Sequence, residues 1–139
     1  MDTGMIKEFT HYIGNNTDFT FGTDLFAISV DSDSIDECIV VAEPSPGLVD
    51  GLIVEKRQIP LVVYSRAVTR FTARDNIYIV FDLLQSATGK IQVDLPVVAS
   101  GSTYTCNFEC RSPYSIGLDE SGRHQVYAMP VDVTVTNMT

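Results

Sequence analysis

The sequence has no apolar run of about 18 residues, so no transmembrane helix is expected. Its first residues, Met1-Asp2-Thr3-Gly4-Met5-Ile6-Lys7-Glu8, lack the basic start and apolar core of a signal peptide. Synthesis and folding in a cytoplasm are therefore expected. Positive charge is scarce: nine Lys and Arg stand against eighteen Asp and Glu, a formal net charge of −9. The cations (Lys7, Lys56, Arg57, Arg66, Arg70, Arg74, Lys90, Arg111, Arg123) are scattered along the chain. A protein that grips phosphates gathers such groups on one surface, so sequence-specific DNA binding is disfavoured. An acidic wall can still lie beside DNA, because it repels phosphates and lets a duplex slide; the same charge also favours solubility.

Histidine is limited to His11 and His124, with no supporting motif around either. A hydrolase triad needs such a base, and zinc needs more ligands than these. There are three cysteines, Cys38, Cys106 and Cys110. The last two lie four residues apart, roughly 13 Å in an extended strand at ~3.3 Å per residue. That exceeds the roughly 7 Å limit on Cα separation for a disulfide, so buried reduced thiols are expected. Gly-rich phosphate loops are missing, as is a Lys following one. Asp31, Asp33, Asp36 and Glu37 look superficially like a calcium loop. They lack the glycine and terminal glutamate of an EF-hand, and read as a solvated acidic turn. Asp119-Glu120-Ser121-Gly122 is explained by turn chemistry between two strands. No enzymatic activity, cofactor or metal is expected.

What is present describes a globular domain. An apolar fraction of 45% with 19% charged residues is ordinary for a folded chain. A single domain over residues 1–139 can bury roughly 65–70% of its unfolded surface. Residues 2–15 suggest an amphipathic helix with Ile6, Phe9 and Ile13 on one face. Asp2 or Thr3 caps its start and Gly14-Asn15-Asn16 ends it. Strands are expected at 25–30, at 37–43 and at 58–65. The continuous Cys38–Ala42 run suggests burial on both faces of the second. Pro60 suggests a bulge or a sheet edge in the third.

Residues 67–85 read as the main helix, with Ala73, Ile77, Val80, Phe81 and Leu84 as its apolar stripe. Arg70, Arg74 and Asp82 fall on its polar side. A short strand at 90–98 follows a stop at 86–89, and two long strands, 103–110 and 124–136, flank a loop at 112–123. The first places Tyr104, Cys106, Phe108 and Cys110 on one face; the second aligns Tyr127, Met129, Val131, Val133 and Val135. Such period-2 alternation signals paired strands with one buried face. The fold class expected is α+β, one mainly antiparallel sheet with about two helices packed on it.

Two connections carry more apolar residues than a solvated loop needs. The stretch 44–57 contains Leu48, Val49, Leu52, Ile53 and Val54 and reads as an arm that buries itself against a neighbour, or as a strand or cover for the core. Tyr114, Ile116 and Leu118 form a second patch, either a contact surface or packing for the chain's own core.

Three features together resemble the tail-terminator or tail-completion proteins of long-tailed bacteriophages, a family often labelled minor capsid protein. One is Ile59-Pro60-Leu61-Val62-Val63-Tyr64-Ser65-Arg66 running straight into Ala67-Val68-Thr69-Arg70-Phe71-Thr72-Ala73-Arg74, with Ile77, Leu83 and Leu84 beyond. Another is the stretch from Ser112 and Pro113 through Tyr114, Ser115, Gly117 and Asp119 to Gly122 and Arg123, similar to the family's Pro-aromatic-Ser-x-Gly-x-Asp-x-x-Gly-Arg. The third is the long alternating strand after it. The likeness covers most of residues 24–136, while 18–26 and 44–57 are less typical.

The resemblance implies a virion protein made in the host bacterial cytoplasm. It would form a homo-oligomeric ring, commonly hexameric, at the head-proximal end of the tail tube. Its partners would be the tail tube protein and a neck or head-completion protein, with genomic double-stranded DNA passing the channel without specific binding and no membrane involved. Leu48, Val49, Leu52, Ile53, Tyr114, Ile116 and Leu118 are the expected subunit or partner contacts. Two other readings stay open: another neck component such as a stopper, and a soluble ligand-binding α+β domain.

Overall fold

The computed structural model describes residues 3–27, 35–42, 57–85, 91–96, 103–119 and 122–138, several stretches of them by backbone alone. In chain order these form α1 (Thr3–Asn16), β1 (Leu25–Ala27), β2 (Cys38–Ala42), β3 (Arg57–Ala67), α2 (Arg70–Leu84), β4 (Ile91–Pro96), β5 (Thr103–Cys110), β6 (Tyr114–Leu118) and β7 (Gln125–Met138). The strands build one seven-stranded sheet in the order β1-β2-β3-β7-β5-β4, with β6 also paired to β7. Among the described strands only the short β1–β2 pair is parallel; the other pairs are antiparallel. The α+β class expected from the sequence is the class found.

Alternation decides which face of the sheet the helices cover. Leu61 and Val63 of β3 share a side with Val131 and Met129 of β7, their direct partners. Ile39 and Val41 of β2 and Phe108 of β5 stand on that side too. All are essentially inaccessible to solvent, together with Phe9 and Ile13 of α1 and Ile77, Val80 and Leu84 of α2. Both helices therefore lie on one face and close a single core. Phe108 is its aromatic anchor, with ring centroids 5.2 Å from Phe9 and 5.8 Å from Tyr12. These offset, tilted rings fix α1 against the sheet.

Several expectations are corrected. Residue 67 does not begin a helix: β3 continues to Ala67, which pairs with Gln125. The helix starts at Arg70 because Thr69, in an extended conformation, caps it by accepting from the Thr72 N–H at 3.2 Å. The stretch 112–123 is not wholly a loop, since it contains β6; four strands, not three, follow α2. Burial of β2 is full for Cys38, Ile39 and Val41 but partial for Val40 and Ala42. In β7, Ala128 on the supposedly open face is buried as well. It stands in one row between Tyr64 and Tyr114, two large neighbours flanking a small one. Residues 28–30, 43–56, 86–90 and 97–102 lie outside the described residues.

Pro60 marks neither a bulge nor a terminal strand, because β3 is internal and its ladder to β7 is regular. The Arg111 N–H donates to the Pro130 carbonyl, so residue 130 of β7 turns its polar groups toward β5 and β6. Asp132 shares that parity, and its partner Pro60 must therefore point its own backbone groups away from β7, toward β2. The described part of β2 ends opposite Val62, two residues short. The missing N–H faces no described strand.

Candidate functional site

The ladder along β7 explains why β6 exists. β5 pairs with β7 down to Cys110↔Val131, and β6 resumes at Tyr114↔Ala128, running in the same direction. β5 and β6 are thus one long strand interrupted at residues 111–113. The cause is local: Pro130 has no N–H to offer on the edge facing the break, and Pro113 has none either. Across the break a single bond remains, from the Arg111 N–H to the Pro130 carbonyl at 3.0 Å.

Within β6 the register shifts between Ser115 and Gly117, so Ile116 is the extra residue of a bulge. Gly117 adopts φ +93°, a conformation that glycine takes at low cost. The Ser115 hydroxyl accepts from the Gly117 N–H at 3.3 Å. Tyr114, Ile116 and Leu118 are 51%, 50% and 58% exposed. Among the described strands β6 pairs only with β7; the described part of β4 begins opposite Phe108. Among the described residues the outer edge of β6 therefore presents backbone donors and acceptors beside three large apolar side chains. An edge of this kind is a template for another strand.

A second apolar feature was missed by sequence reasoning. Val68 and Phe71, at the turn from β3 into α2, are 56% and 79% exposed. The register puts Ala67, Gln125 and Leu118 in one row, so Leu118 lies roughly 10 Å across the sheet from the residue preceding Val68. Both features thus belong to the same end of the sheet. The available signal was the Thr69 cap, which leaves Phe71 in the first turn and off the stripe led by Ala73.

Behind this end runs a polar network that holds residues 35–37 against the sheet. Arg66 of β3 donates to the Ile35 carbonyl. Asp36 receives His124 Nε2 at 3.0 Å and the Arg123 guanidinium at 3.2 Å on the same oxygen. Asn76 of α2 donates to Glu37 at 2.7 Å. Three consecutive residues are caught by three different elements. Asp36 and Glu37 are exposed, as the expected solvated acidic turn requires, and are anchors besides; Asp31 and Asp33 lie outside the described residues.

His124 is wholly buried, with its other ring nitrogen 2.7 Å from Asp119. The hairpin between them closes through Asp119 N–H to the His124 carbonyl at 2.9 Å and Gly122 N–H to the Asp119 carbonyl at 3.0 Å, with Gly122 at φ +76°. The His124 hydrogen bond, foremost, and the nearby Arg123 and Arg66 charges hold the Asp36 carboxyl below its ordinary value, against a smaller opposing desolvation. His11 instead stacks on Phe21, centroids 4.4 Å apart.

Cys38 and Cys110 stand apart from this end of the sheet chemically. Burial raises both thiols, that of Cys110 to about 11, so neither is disposed to react as thiolate. Among the described residues no group of three His, Cys, Asp or Glu side chains is placed to hold a metal ion. Of the contact residues expected from sequence, Tyr114, Ile116 and Leu118 all lie on β6 and are exposed, but across the bulge Tyr114 pairs with Ala128 and Leu118 with Gln125, which puts these two on opposite faces of the sheet. Leu48, Val49, Leu52 and Ile53 lie outside the described residues. No protein-family model matches the chain, and no curated protein matches it.

Proposed function

We propose that this chain is a structural virion subunit that associates with copies of itself into a ring, ending a phage tail tube at its head-proximal end. The ring stops tube polymerisation and offers the surface on which the neck of the filled head docks. The observation that carries the reading is β6, an edge strand that keeps half of each of three large apolar side chains in solvent. Monomeric proteins usually blunt such edges with charge or proline, whereas β6 contains neither. Val68 and Phe71 extend the apolar surface around the same end, giving a contact that a second copy can cover. A contact between two different surfaces of successive copies closes into a ring when its rotation closes. The net charge of −9 suits a channel through which DNA passes without adhering. The sequence likeness to tail terminators supplies the place in the virion.

Light scattering on the purified full chain tests the assembly. Wild type is expected to give a closed oligomer of one size. The double variant Ile116→Asp with Leu118→Asp is expected to give a folded monomer with an unchanged circular dichroism spectrum. A monomeric wild type at high concentration would defeat the reading. Phage particles lacking the subunit are expected to carry overlong or unfinished tails; leaking heads with normal tails would assign it to the neck instead.

A further inference from the structure

His124 is the one fully buried basic side chain among the described residues, and assembly as proposed above makes no use of it. Its surroundings are specific. Asp119 faces Nδ1 at 2.7 Å and Asp36 faces Nε2 at 3.0 Å, from segments 88 positions apart in the case of Asp36. Arg123 shares the Asp36 oxygen at 3.2 Å, and Arg66 of β3 acts on the same carboxylate by charge. Glu37 is turned away to Asn76. A neutral imidazole has one N–H and one lone pair, while an ionised carboxylate only accepts. Both contacts are hydrogen bonds together only when both ring nitrogens carry protons. In the neutral form one carboxylate faces the lone pair of a ring that is itself fully buried, where an unmet polar contact is costly.

We propose that His124, in its doubly protonated form, is a latch that ties the hairpin 119–124 to residues 35–37 and so sets the position of the C-terminal end of β6. Asp119 follows Leu118 directly, so the latch acts one residue from the apolar edge. Release follows loss of the imidazole proton on the alkaline side and protonation of Asp36 on the acid side. Its effect on assembly rests on the reading of β6 as a contact edge; the latch itself does not.

The test uses the full chain labelled with 15N. Across a pH titration, both His124 ring nitrogens are expected to show the shifts of protonated imidazolium wherever the hairpin amides are protected. Where the imidazole proton is lost, amide exchange protection at Asp119 and His124 is expected to fall about tenfold more than at β3 amides, the loss of one charged hydrogen bond. In the Asp36→Asn variant the new amide can donate to a neutral Nε2, so that fall is expected to vanish. A single neutral tautomer of His124 across the range, or the same fall in Asp36→Asn, would overturn the latch. Ile116→Asp separates the two readings. It is expected to abolish association while keeping the pH-dependent hairpin; association that survives it counts against the contact edge and leaves the latch standing.

Discussion

Pro60 and Pro130 each sit within a long internal strand, at positions where the absent N–H leaves no ladder bond unmade to β3 or β7. Their placement shows how single residues write the sheet: one proline sits beyond the described part of β2, and the other splits β5 from β6. Thr69 works at the same scale. Its hydroxyl accepts the Thr72 N–H and its carbonyl receives the Ala73 N–H at 3.1 Å, which fixes the start of α2. Thr69→Ala is expected to cost about 1 kcal/mol, read from a urea melt at unchanged slope. The cap could be recognised from the residue type, but the continuing strand before it could not. Ser65 illustrates why: its hydroxyl donates to the Ala73 carbonyl at 2.7 Å, a buried tie between β3 and α2 that no local pattern signals.

At the scale of elements, α1 and β6 behave differently because one is anchored by aromatics and the other is held only along one edge. Phe108 receives both Phe9 and Tyr12, so one residue of β5 meets two side chains of α1. Phe108→Ala is expected to lose about 3–5 kcal/mol, with α1 amides losing exchange protection before those of β3 and β7. Equal loss everywhere would show that α1 docks by other means. The helix was legible because Phe9 and Ile13 repeat at helical spacing. β6 was hidden because its five residues carry a bulge at Ile116 that breaks the period-2 signal, and because the flanking residues have turn chemistry. Its apolar residues could be read from the sequence; their outward direction could not, since facing depends on register.

For the molecule as a whole, folding joins the segment before β2 to the far hairpin through Asp36. With its carboxyl held below the ordinary value, chiefly by His124, the folded state binds its proton less readily than the unfolded chain. The stabilisation is therefore present above an ordinary aspartate value of ~3.9 and fades as pH falls through the lower, folded value. Thermal melts below about pH 4 are expected to show this loss in wild type, and a shallower one in Asp36→Asn. Identical slopes would mean that Asp36 contributes nothing to acid stability. Nothing along the chain announced this link, because 88 positions separate its two ends and each end by itself reads as a polar turn.

The sequence alone determined the α+β class, the apolar stripes of both helices and the alternating strands, because burial periodicity is a property of neighbours along the chain. It also determined that three large apolar residues lie in a nominal loop. Only the tertiary structure decided that this loop is an edge strand, that Val68 and Phe71 share its end of the sheet, and that His124 is enclosed between two carboxylates. Each of these depends on register and on contacts between distant segments, which packing fixes and local composition does not.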